Sequence, residues 1–213
     1  MNTIHFPAQA KYIDSFQKKE NELIQEMESY AIEHKIPILS WQSAELIEQL
    51  ILLKEPKRVL EIGTAIGYTT IRIARNLGKK SEVHTIEKSA DNIPLAREYF
   101  ERSGFADKIK LFEGNALSIM PQLQKKYDFI FLDADKEDYK RLFDYSLILL
   151  KRDGVIVVDN LLWHGYAATT RVPAKYKAST KLIREFNKIF TSQENLITTI
   201  LPVGDGLGIG IKK

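Results

Sequence analysis

The chain has 213 residues, 44% of them hydrophobic, with 31 basic and 28 acidic residues and a formal net charge of +3. This length and composition suffice for one sizeable core, so we expect a single domain over residues 1–213. The absence of cysteine excludes a disulfide scaffold and any thiolate metal site. The first twenty residues lack a signal-peptide core and a membrane-spanning run. We expect a cytoplasmic protein with no membrane partner.

Two helices are predicted before any strand. Apolar residues recur at helical spacing from about Ala8 to Glu33, and again from Gln42 to Leu53 behind a serine cap. We expect these helices to form an N-terminal helical cap over residues 1–55, followed by the core over residues 56–213.

From Arg58 onward, short β-rich runs alternate with helical ones. The predicted order is strand Val59–Ile62, helix Ile66–Leu77, strand Val83–Glu87, helix Ala90–Ser103, strand Ile109–Glu113, helix Ala116–Gln124, strand Phe129–Asp133, helix Asp138–Leu150 and strand Val155–Asp159. Strand–helix units in series indicate a parallel sheet that right-handed crossovers cover on both faces.

The end of the chain departs from this alternation. After a predicted helix over Thr180–Phe190, the strands Ile197–Leu201 and Leu207–Ile211 are separated by only five residues. Parallel strands cannot be joined by so short a link. One of these two strands must therefore lie antiparallel to its neighbours.

The first strand runs into a turn that contains Gly63 and Gly67, and a helix follows. Glycines let the backbone turn tightly and bring a ligand close to the main chain and the helix N-terminus. The E-x-G-x-x-x-G spacing matches neither the dinucleotide fingerprint G-x-G-x-x-G nor a P-loop, which ends in Lys-Ser or Lys-Thr. An adenosine ligand without a pyrophosphate fits this turn better.

Ligands of an open parallel sheet bind beyond the carboxyl ends of its strands, and here those ends are acidic. Glu87 ends the second strand, where its carboxylate can accept hydrogen bonds from both hydroxyls of an adenosine ribose. Asn115 and Ala116 begin the helix after the third strand and can read the adenine edge, although Asn115 alone also fits a helix cap. Glu87 would suit NAD as well, but the glycine spacing and the terminal hairpin argue against a dehydrogenase.

Three oxygen-bearing side chains follow two neighbouring strands of the predicted sheet, namely Asp133, Asp159 and Asn160. Oxygen ligands without His or Cys suit Mg²⁺, with Mn²⁺ or Ca²⁺ as substitutes. Asp159 and Asn160 come directly after the apolar run Val155–Val158, and acidic groups at the end of a buried strand need a reason. The alternative is that they only begin a loop.

Lys136 stands three residues after Asp133 at the rim of the same predicted pocket. An ammonium close to a divalent cation loses its proton more easily, so Lys136 is a candidate general base for a substrate hydroxyl. An ordinary surface lysine is the alternative. Asp135 and Asp138 are candidate outer ligands or acids favoured by a helix N-terminus. Of the histidines, only His164 lies in a segment expected to face the site.

Basic residues cluster between Arg171 and Lys188, where six of them stand against one acid. This segment is either a solvated loop and helix face or a patch for an anionic partner such as RNA phosphate. The net charge of the whole chain does not mark it as a nucleic-acid binder.

Together these motifs resemble the class I S-adenosylmethionine-dependent methyltransferases, and more narrowly the cation-dependent O-methyltransferases that include the caffeoyl-CoA and catechol enzymes. The resemblance runs from roughly Ile36 to the C-terminus and rests on Leu60–Tyr68, Glu87, Asp128–Lys136, Val158–Asn160 and Pro202–Leu207. It implies an α/β fold with a Rossmann-like, seven-stranded, mostly parallel sheet, an antiparallel last strand and N-terminal helices.

The resemblance also implies roles for individual residues. S-adenosylmethionine would be held by Leu39, Glu61, Gly63, Thr64, Gly67, Tyr68, Thr69, Glu87, Asn115, Ala116 and Asp133. Mg²⁺ would be held by Asp133, Asp159 and Asn160, and the catalytic residues would be Lys136, as the base, and Asp133. A non-enzymatic RNA-binding or scaffold protein is the remaining alternative, but it would not need this set.

Within the family, the N-terminal helix, the Gly-Thr-Ala-Ile-Gly-Tyr turn and the Pro-Val-Gly-Asp-Gly-Leu ending resemble the bacterial enzymes that methylate 5-hydroxyuridine in the tRNA anticodon. The 5-hydroxyl and the 4-carbonyl oxygen form a catechol-like pair that one Mg²⁺ can chelate. Arg171–Lys188 would then hold the anticodon stem, and Trp163 or Tyr166 would stack on a base. The tRNA nucleoside is therefore the leading candidate acceptor. A small catechol or hydroxycinnamoyl acceptor is the alternative, because it would use the same pocket, and Trp41, Trp163 and Tyr166 also suit a phenyl ring. A homodimer is expected from the family and the N-terminal helix.

Overall fold

The computed structural model describes residues 7–213. Its helices are α1 (Pro7–Asp14), α2 (Glu22–His34), α3 (Trp41–Lys54), α4 (Tyr68–Arg75), α5 (Asn92–Ser103), α6 (Ala116–Ile119), α7 (Tyr139–Leu149) and α8 (Lys177–Thr191). Its strands are β1 (Arg58–Ile62), β2 (Glu82–Glu87), β3 (Ile109–Glu113), β4 (Tyr127–Leu132), β5 (Leu150–Val158), β6 (Leu196–Leu201) and β7 (Leu207–Lys212). The first six residues of the predicted cap lie outside the described residues. Over residues 7–213, every helix is too short or too polar to cross a bilayer.

The strands form one seven-stranded sheet in the order β3-β2-β1-β4-β5-β7-β6. Strands β1 to β5 pair in parallel, and β7 lies antiparallel between β5 and β6. The mostly parallel sheet with an antiparallel last strand is therefore confirmed. The chain moves outward from β1 to β3 and then returns to β4, so the strand order reverses beside β1, where ligands bind in open sheets of this kind.

Helices cover both faces of the sheet. Alternate residues of a strand point to opposite faces, so Val59 of β1 packs in the layer of α2, α3, α4 and α5, whereas Leu60 packs in the layer of α7 and α8. The central strands are buried on both sides, which explains their nearly continuous apolar sequence. This double burial leaves the strand ends as the places where polar groups of the sheet can reach solvent.

The prediction of one helix from Ala8 to Glu33 was wrong, because the structure has two helices, α1 and α2, with a polar gap between them. Asn21 begins the second helix: its backbone is extended, and its side chain accepts a hydrogen bond from the Ile24 N–H at 3.0 Å. The predicted helix after the third strand is also shorter, since α6 ends before Pro121, which has no N–H to donate.

A network of charged side chains joins α3 and the segment just before α2 to α4. Arg72 is 1% exposed and donates to both carboxylate oxygens of Glu48 at 3.1 Å and to the Tyr68 hydroxyl at 2.8 Å. Arg75 pairs with Glu20 at 2.7 Å and with Glu48 at 2.6 Å. A buried guanidinium is tolerated only with such partners, so the network fixes how the N-terminal helices sit on the core.

Replacement of Arg72 by Ala should lower the free energy of unfolding by about 3 kcal/mol, because the partly buried Glu48 loses one of its two counter-ions and the Tyr68 hydroxyl loses its donor. Urea denaturation followed by circular dichroism measures this loss. Arg97→Ala serves as the matched control, since Arg97 pairs with Glu113 at an exposed position and should cost much less. Equal losses for the two variants would contradict a structural role for the network.

Candidate functional site

A cavity of about 650 Å³ opens at the carboxyl ends of the parallel strands. Its walls include predicted site residues from five strand ends, namely Gly63, Glu87, Asn115, Ala116, Asp133, Lys136, Asp159 and Asn160. Hydrogen bonds continue the sheet past its last paired residues, from the Asp133 N–H to the Ile62 carbonyl at 2.9 Å and from the Asp159 N–H to the Leu132 carbonyl at 3.1 Å. The site is therefore built directly on the sheet.

Gly63 follows β1 directly and lies against the residue that follows β4, Asp133. Its φ is +100°, and a Cβ at this position would collide with the carbonyl oxygen of Asp133. Only glycine meets both conditions. Gly67, the N-cap residue of α4, is required on the same grounds. Its φ is +88°, and a Cβ there would lie 2.5 Å from the Phe100 ring.

The side of the cavity beside β2 and β3 carries the predicted adenosine contacts. The Glu87 carboxylate is fixed by three backbone N–H groups, from Ala65 at 2.7 Å, Lys88 at 2.9 Å and Ser89 at 2.8 Å. Asn115 caps α6 by accepting from the Leu117 N–H at 2.8 Å, so the helix-cap interpretation holds for its side chain. Its backbone and Ala116 still line the cavity.

Six predicted cofactor residues do not line the cavity, namely Leu39, Glu61, Thr64, Gly67, Tyr68 and Thr69. Leu39 is buried in the core, while its neighbours Pro37 and Ile38 line the cavity. Thr64 bonds to Thr85 at 2.5 Å, and Thr69 is buried on α4. Glu61 is held by Thr70 and by Thr85, the latter at 2.6 Å.

The prediction for Tyr68 needs the clearest correction. Its hydroxyl donates to Glu28 at 2.9 Å and accepts from Arg72, so the side chain faces α2 and not the cavity. Tyr68 is the first residue of α4, and the turn of the helix directs it away from the preceding loop.

Lys136 lies at the centre of the other side of the cavity, beside β4 and β5. Its ammonium donates to Asn160 Oδ1 at 2.5 Å, to Asp133 Oδ1 at 3.3 Å, to the Ala134 carbonyl at 3.0 Å and to the Tyr139 hydroxyl at 2.6 Å. The side chain is 11% exposed, so it is not an ordinary surface lysine. The structure thus brings the predicted base and two predicted cation ligands together.

The oxygen atoms around Lys136 fit a divalent cation. Asp159 Oδ1 is buried without a hydrogen-bond partner, and burial together with the charge of Asp133 raises the pKa of the Asp159 carboxyl to about 8. A cation would relieve both penalties. Over residues 7–213 there is no group of three His, Cys, Asp or Glu side chains with metal-site geometry, and the set of Asp133, Asp159 and Asn160 includes an amide oxygen.

Other predicted residues have partners of their own. Asp135 pairs with Lys88, and Asp138 lies 3.7 Å from Arg141, although both carboxylates line the cavity. Trp163 and His164 line it as expected, whereas Trp41 donates to Asp14 at 3.1 Å and does not.

The sequence analysis missed two tyrosines at this site. Tyr139 is buried, accepts from Lys136 and donates to the Asp159 carbonyl at 3.1 Å. Tyr176 lines the cavity mouth and stacks on Tyr166 with ring centroids 5.2 Å apart. The i,i+3 spacing of Lys136 and Tyr139 was a usable signal for the first tyrosine, but nothing local indicated the second.

The sheet order and the strand-end cavity define a class I methyltransferase fold. A family model described as O-methyltransferase matches residues 14–213, and the chain belongs to that family. It is 31% identical to a caffeoyl-CoA O-methyltransferase of Populus kitakamiensis over 169 residues. The aligned region covers 76% of this chain and 72% of that protein.

Solved structures agree with this assignment. A candidate caffeoyl-CoA O-methyltransferase from Staphylococcus aureus superposes with a TM-score of 0.89 at 31% identity, over 97% of this chain and 100% of that one. An O-methyltransferase from Bacillus cereus, solved in complex with SAH, gives 0.84 at 26% identity, over 97% of both chains. The chain is an S-adenosylmethionine-dependent O-methyltransferase, which confirms the predicted enzyme class.

The buried carboxyl of Glu61 should make stability depend on pH. Burial raises its pKa to about 8, so the folded state holds a proton that the unfolded state releases at lower pH. The stability from this proton is complete in acid and is lost as the pH rises to about 8.

We therefore expect the melting temperature of Glu61→Gln to fall less than that of the wild type between about pH 5 and about pH 8. The pKa of Asp159 is also raised, so Asp159 makes stability fall with pH in both proteins, and only the difference between the two curves reports on Glu61. Thermal unfolding across this pH range measures the difference, with Glu113→Gln at an exposed site as the control. Parallel curves for wild type and Glu61→Gln would show that Glu61 is ionised in the folded protein.

Proposed function

We propose that this enzyme transfers the methyl group of S-adenosylmethionine to the 5-hydroxyl of 5-hydroxyuridine in the tRNA anticodon, with the help of Mg²⁺. The observation that carries the RNA part is the continuity between the cavity and a basic helix face. Lys175, Tyr176 and Ser179 form part of the cavity wall, and α8 continues from them.

The basic face of α8 is long enough for several phosphates. Lys177, Lys181, Arg184 and Lys188 recur at helical spacing and line one groove of about 420 Å³. At 1.5 Å per residue, the span from Lys177 to Lys188 is about 16 Å. Within residues 7–213, the side chains of Lys177 and Lys188 form no ion pair, so both are free for an anionic partner.

Arg184 plays a different part in this groove. Its guanidinium donates to the carbonyls of Tyr166 at 2.9 Å, Ala167 at 3.0 Å and Thr169. These bonds attach the segment with Tyr166 to α8. The aromatic cluster at the cavity mouth, which includes Trp163, Tyr166 and Tyr176, is thereby joined to the basic face, and this arrangement supports an acceptor with both a flat ring and phosphates.

In the proposed reaction, the ribose of S-adenosylmethionine binds Glu87, whose carboxylate the backbone holds in place. Asp133, Asp159 and Asn160 would hold Mg²⁺, which when bound lowers the pKa of an acceptor hydroxyl and orients it. After its ammonium has released a proton to solvent, Lys136 accepts the hydroxyl proton at Nζ. The acceptor oxygen then bonds to the methyl carbon while the bond from that carbon to the sulfonium sulfur breaks, and S-adenosylhomocysteine leaves. Tyr139 and Asn160 keep the Lys136 side chain directed into the cavity.

A small catechol or hydroxycinnamoyl acceptor is the second candidate. The relatives named above favour it, because caffeoyl-CoA stands in their names. A CoA ester also carries phosphates, which suit the same basic face. We also propose that the enzyme is a homodimer, and light scattering of the protein in solution tests this.

The deciding experiment is methyl transfer from labelled S-adenosylmethionine to tRNA carrying 5-hydroxyuridine, beside caffeoyl-CoA and a simple catechol, each with Mg²⁺ or with EDTA. We expect labelling of the tRNA that EDTA abolishes. Asp159→Asn keeps the shape of the site but removes one charge, so it serves as the matched inactive control. Labelling of caffeoyl-CoA or the catechol alone would contradict the RNA acceptor and retain the chemistry.

Lys136→Met should lower the single-turnover rate of methyl transfer by about 10²–10⁴-fold, the range for loss of a general base. The affinity for S-adenosylmethionine should stay close to that of the wild type, because Glu87 lies on the other side of the cavity. Rapid-quench kinetics and isothermal titration calorimetry measure the two quantities. A variant with wild-type single-turnover rates would exclude Lys136 as the base.

Replacement of Lys177, Lys181 and Lys188 by Gln should raise the KM for tRNA by about tenfold or more and reduce its salt dependence. The kcat should change little, since these lysines are remote from the reacting atoms. As the control, replacement of Lys57, Lys79 and Lys80 by Gln removes the same charge near the amino ends of β1 and β2, away from the cavity. Equal effects of the two triple variants would mean that only net charge matters.

A further inference from the structure

The segment that follows β5 has a strained backbone. We call residues 160–165 the acceptor loop, because it contains Asn160 and the cavity-wall residues Trp163 and His164. These three residues have φ values of 62°, 48° and 55°, in the left-handed region that non-glycine residues seldom adopt. Such a conformation persists only where its surroundings hold it.

The turn between β6 and β7 provides part of that hold through its backbone. The Leu161 N–H donates to the Gly206 carbonyl, and the Leu162 N–H donates to the Asp205 carbonyl, both at 2.9 Å. Gly206 has φ +91°, and a Cβ there would lie 2.6 Å from Leu162 Cγ. The turn and the acceptor loop are therefore packed backbone against backbone.

One side chain of this turn, that of Asp205, holds both ends of the acceptor loop. Its Oδ1 accepts from the His164 N–H at 2.5 Å, and its Oδ2 accepts from Asn160 Nδ2 at 3.4 Å. The His164 imidazole lies 3.9 Å away, and the carboxylate is 20% exposed. Because the Asn160 amide gives its N–H to Asp205, its oxygen faces Lys136.

We propose that Asp205 is a positioning residue for methyl transfer. Its carboxylate maintains the left-handed backbone of the acceptor loop and fixes the rotation of the Asn160 amide, so that Oδ1 faces the site and not the turn. The cation-binding part of this inference rests on the proposed function. The effect on the loop does not, since it follows from hydrogen bonds within the protein.

Hydrogen exchange measured by mass spectrometry tests the effect on the loop. In Asp205→Ala we expect the amides of residues 161–164 to exchange at least about tenfold faster, while those of the central strands are unchanged. Asp205→Asn keeps an acceptor for the His164 N–H but presents an amide to Asn160 Nδ2, so its loop should exchange like the wild type. Asp107→Ala, at an exposed carboxylate far from the site, is the control.

Mn²⁺ binding, followed by electron paramagnetic resonance, tests the effect on Asn160. We expect the dissociation constant to rise about 10–100-fold in both Asp205 variants, which is the usual effect of losing a residue that orients a ligand. Affinity for S-adenosylmethionine should be unchanged. Rescue of loop exchange but not of Mn²⁺ affinity by Asn would separate the two hydrogen bonds.

A lower melting temperature in Asp205→Ala, with unchanged loop exchange and unchanged Mn²⁺ affinity, would overturn the proposal and leave Asp205 a structural residue. Absence of Mn²⁺ binding in the wild type would contradict the proposed cation site instead. The exchange rates would then decide the role of Asp205 alone: a tenfold rise supports it, and an unchanged rate refutes it.

Discussion

The carbonyl oxygen of Asp133 occupies the space that a side chain on Gly63 would need. This contact lets β1 and β4 end side by side, and the bond from the Asp133 N–H to the Ile62 carbonyl keeps them in register. The side of the cavity with the predicted adenosine contacts depends on β1, β2 and β3, and the side with Lys136 depends on β4 and β5. Asp133 stands between the two sides, so a shift of one strand against the other would separate the parts that must act together.

The sequence was sufficient to predict the sheet and the polar groups at the carboxyl ends of its strands. Glu87, Asp133 and Asp159 each end a strand, and the carboxyl ends of parallel strands meet at one edge, so their spatial proximity follows from local patterns alone. The same reasoning failed for Tyr68. Its nearness to the glycine turn along the chain says nothing about which way a helix rotates its first side chain, and that direction depends on packing against α2.

Contacts between distant parts of the chain could not be predicted from the sequence for a related reason. The Arg72 network joins two helices and the segment before α2, and the bond between Asn160 and Asp205 joins a loop to a turn 45 positions away. Neither the network nor the Asn160–Asp205 bond follows a periodicity or a local spacing from which the contact could be predicted. The break between α1 and α2 was predictable in principle, because Asn21 is a typical N-cap residue, but the apolar periodicity across it masked the signal.

If α8 binds the acceptor as proposed, the arrangement also explains how one chemistry can serve different acceptors. The groups that would bind the methyl donor and a cation lie on strand ends that the sheet holds rigidly, whereas the basic face lies on α8, which contributes no proposed cation ligand. Arg184 connects α8 to the aromatic segment through three backbone carbonyls. Because carbonyls are present whatever the side chains, residues around this connection can change and alter the acceptor without disturbing Asp133 or Lys136.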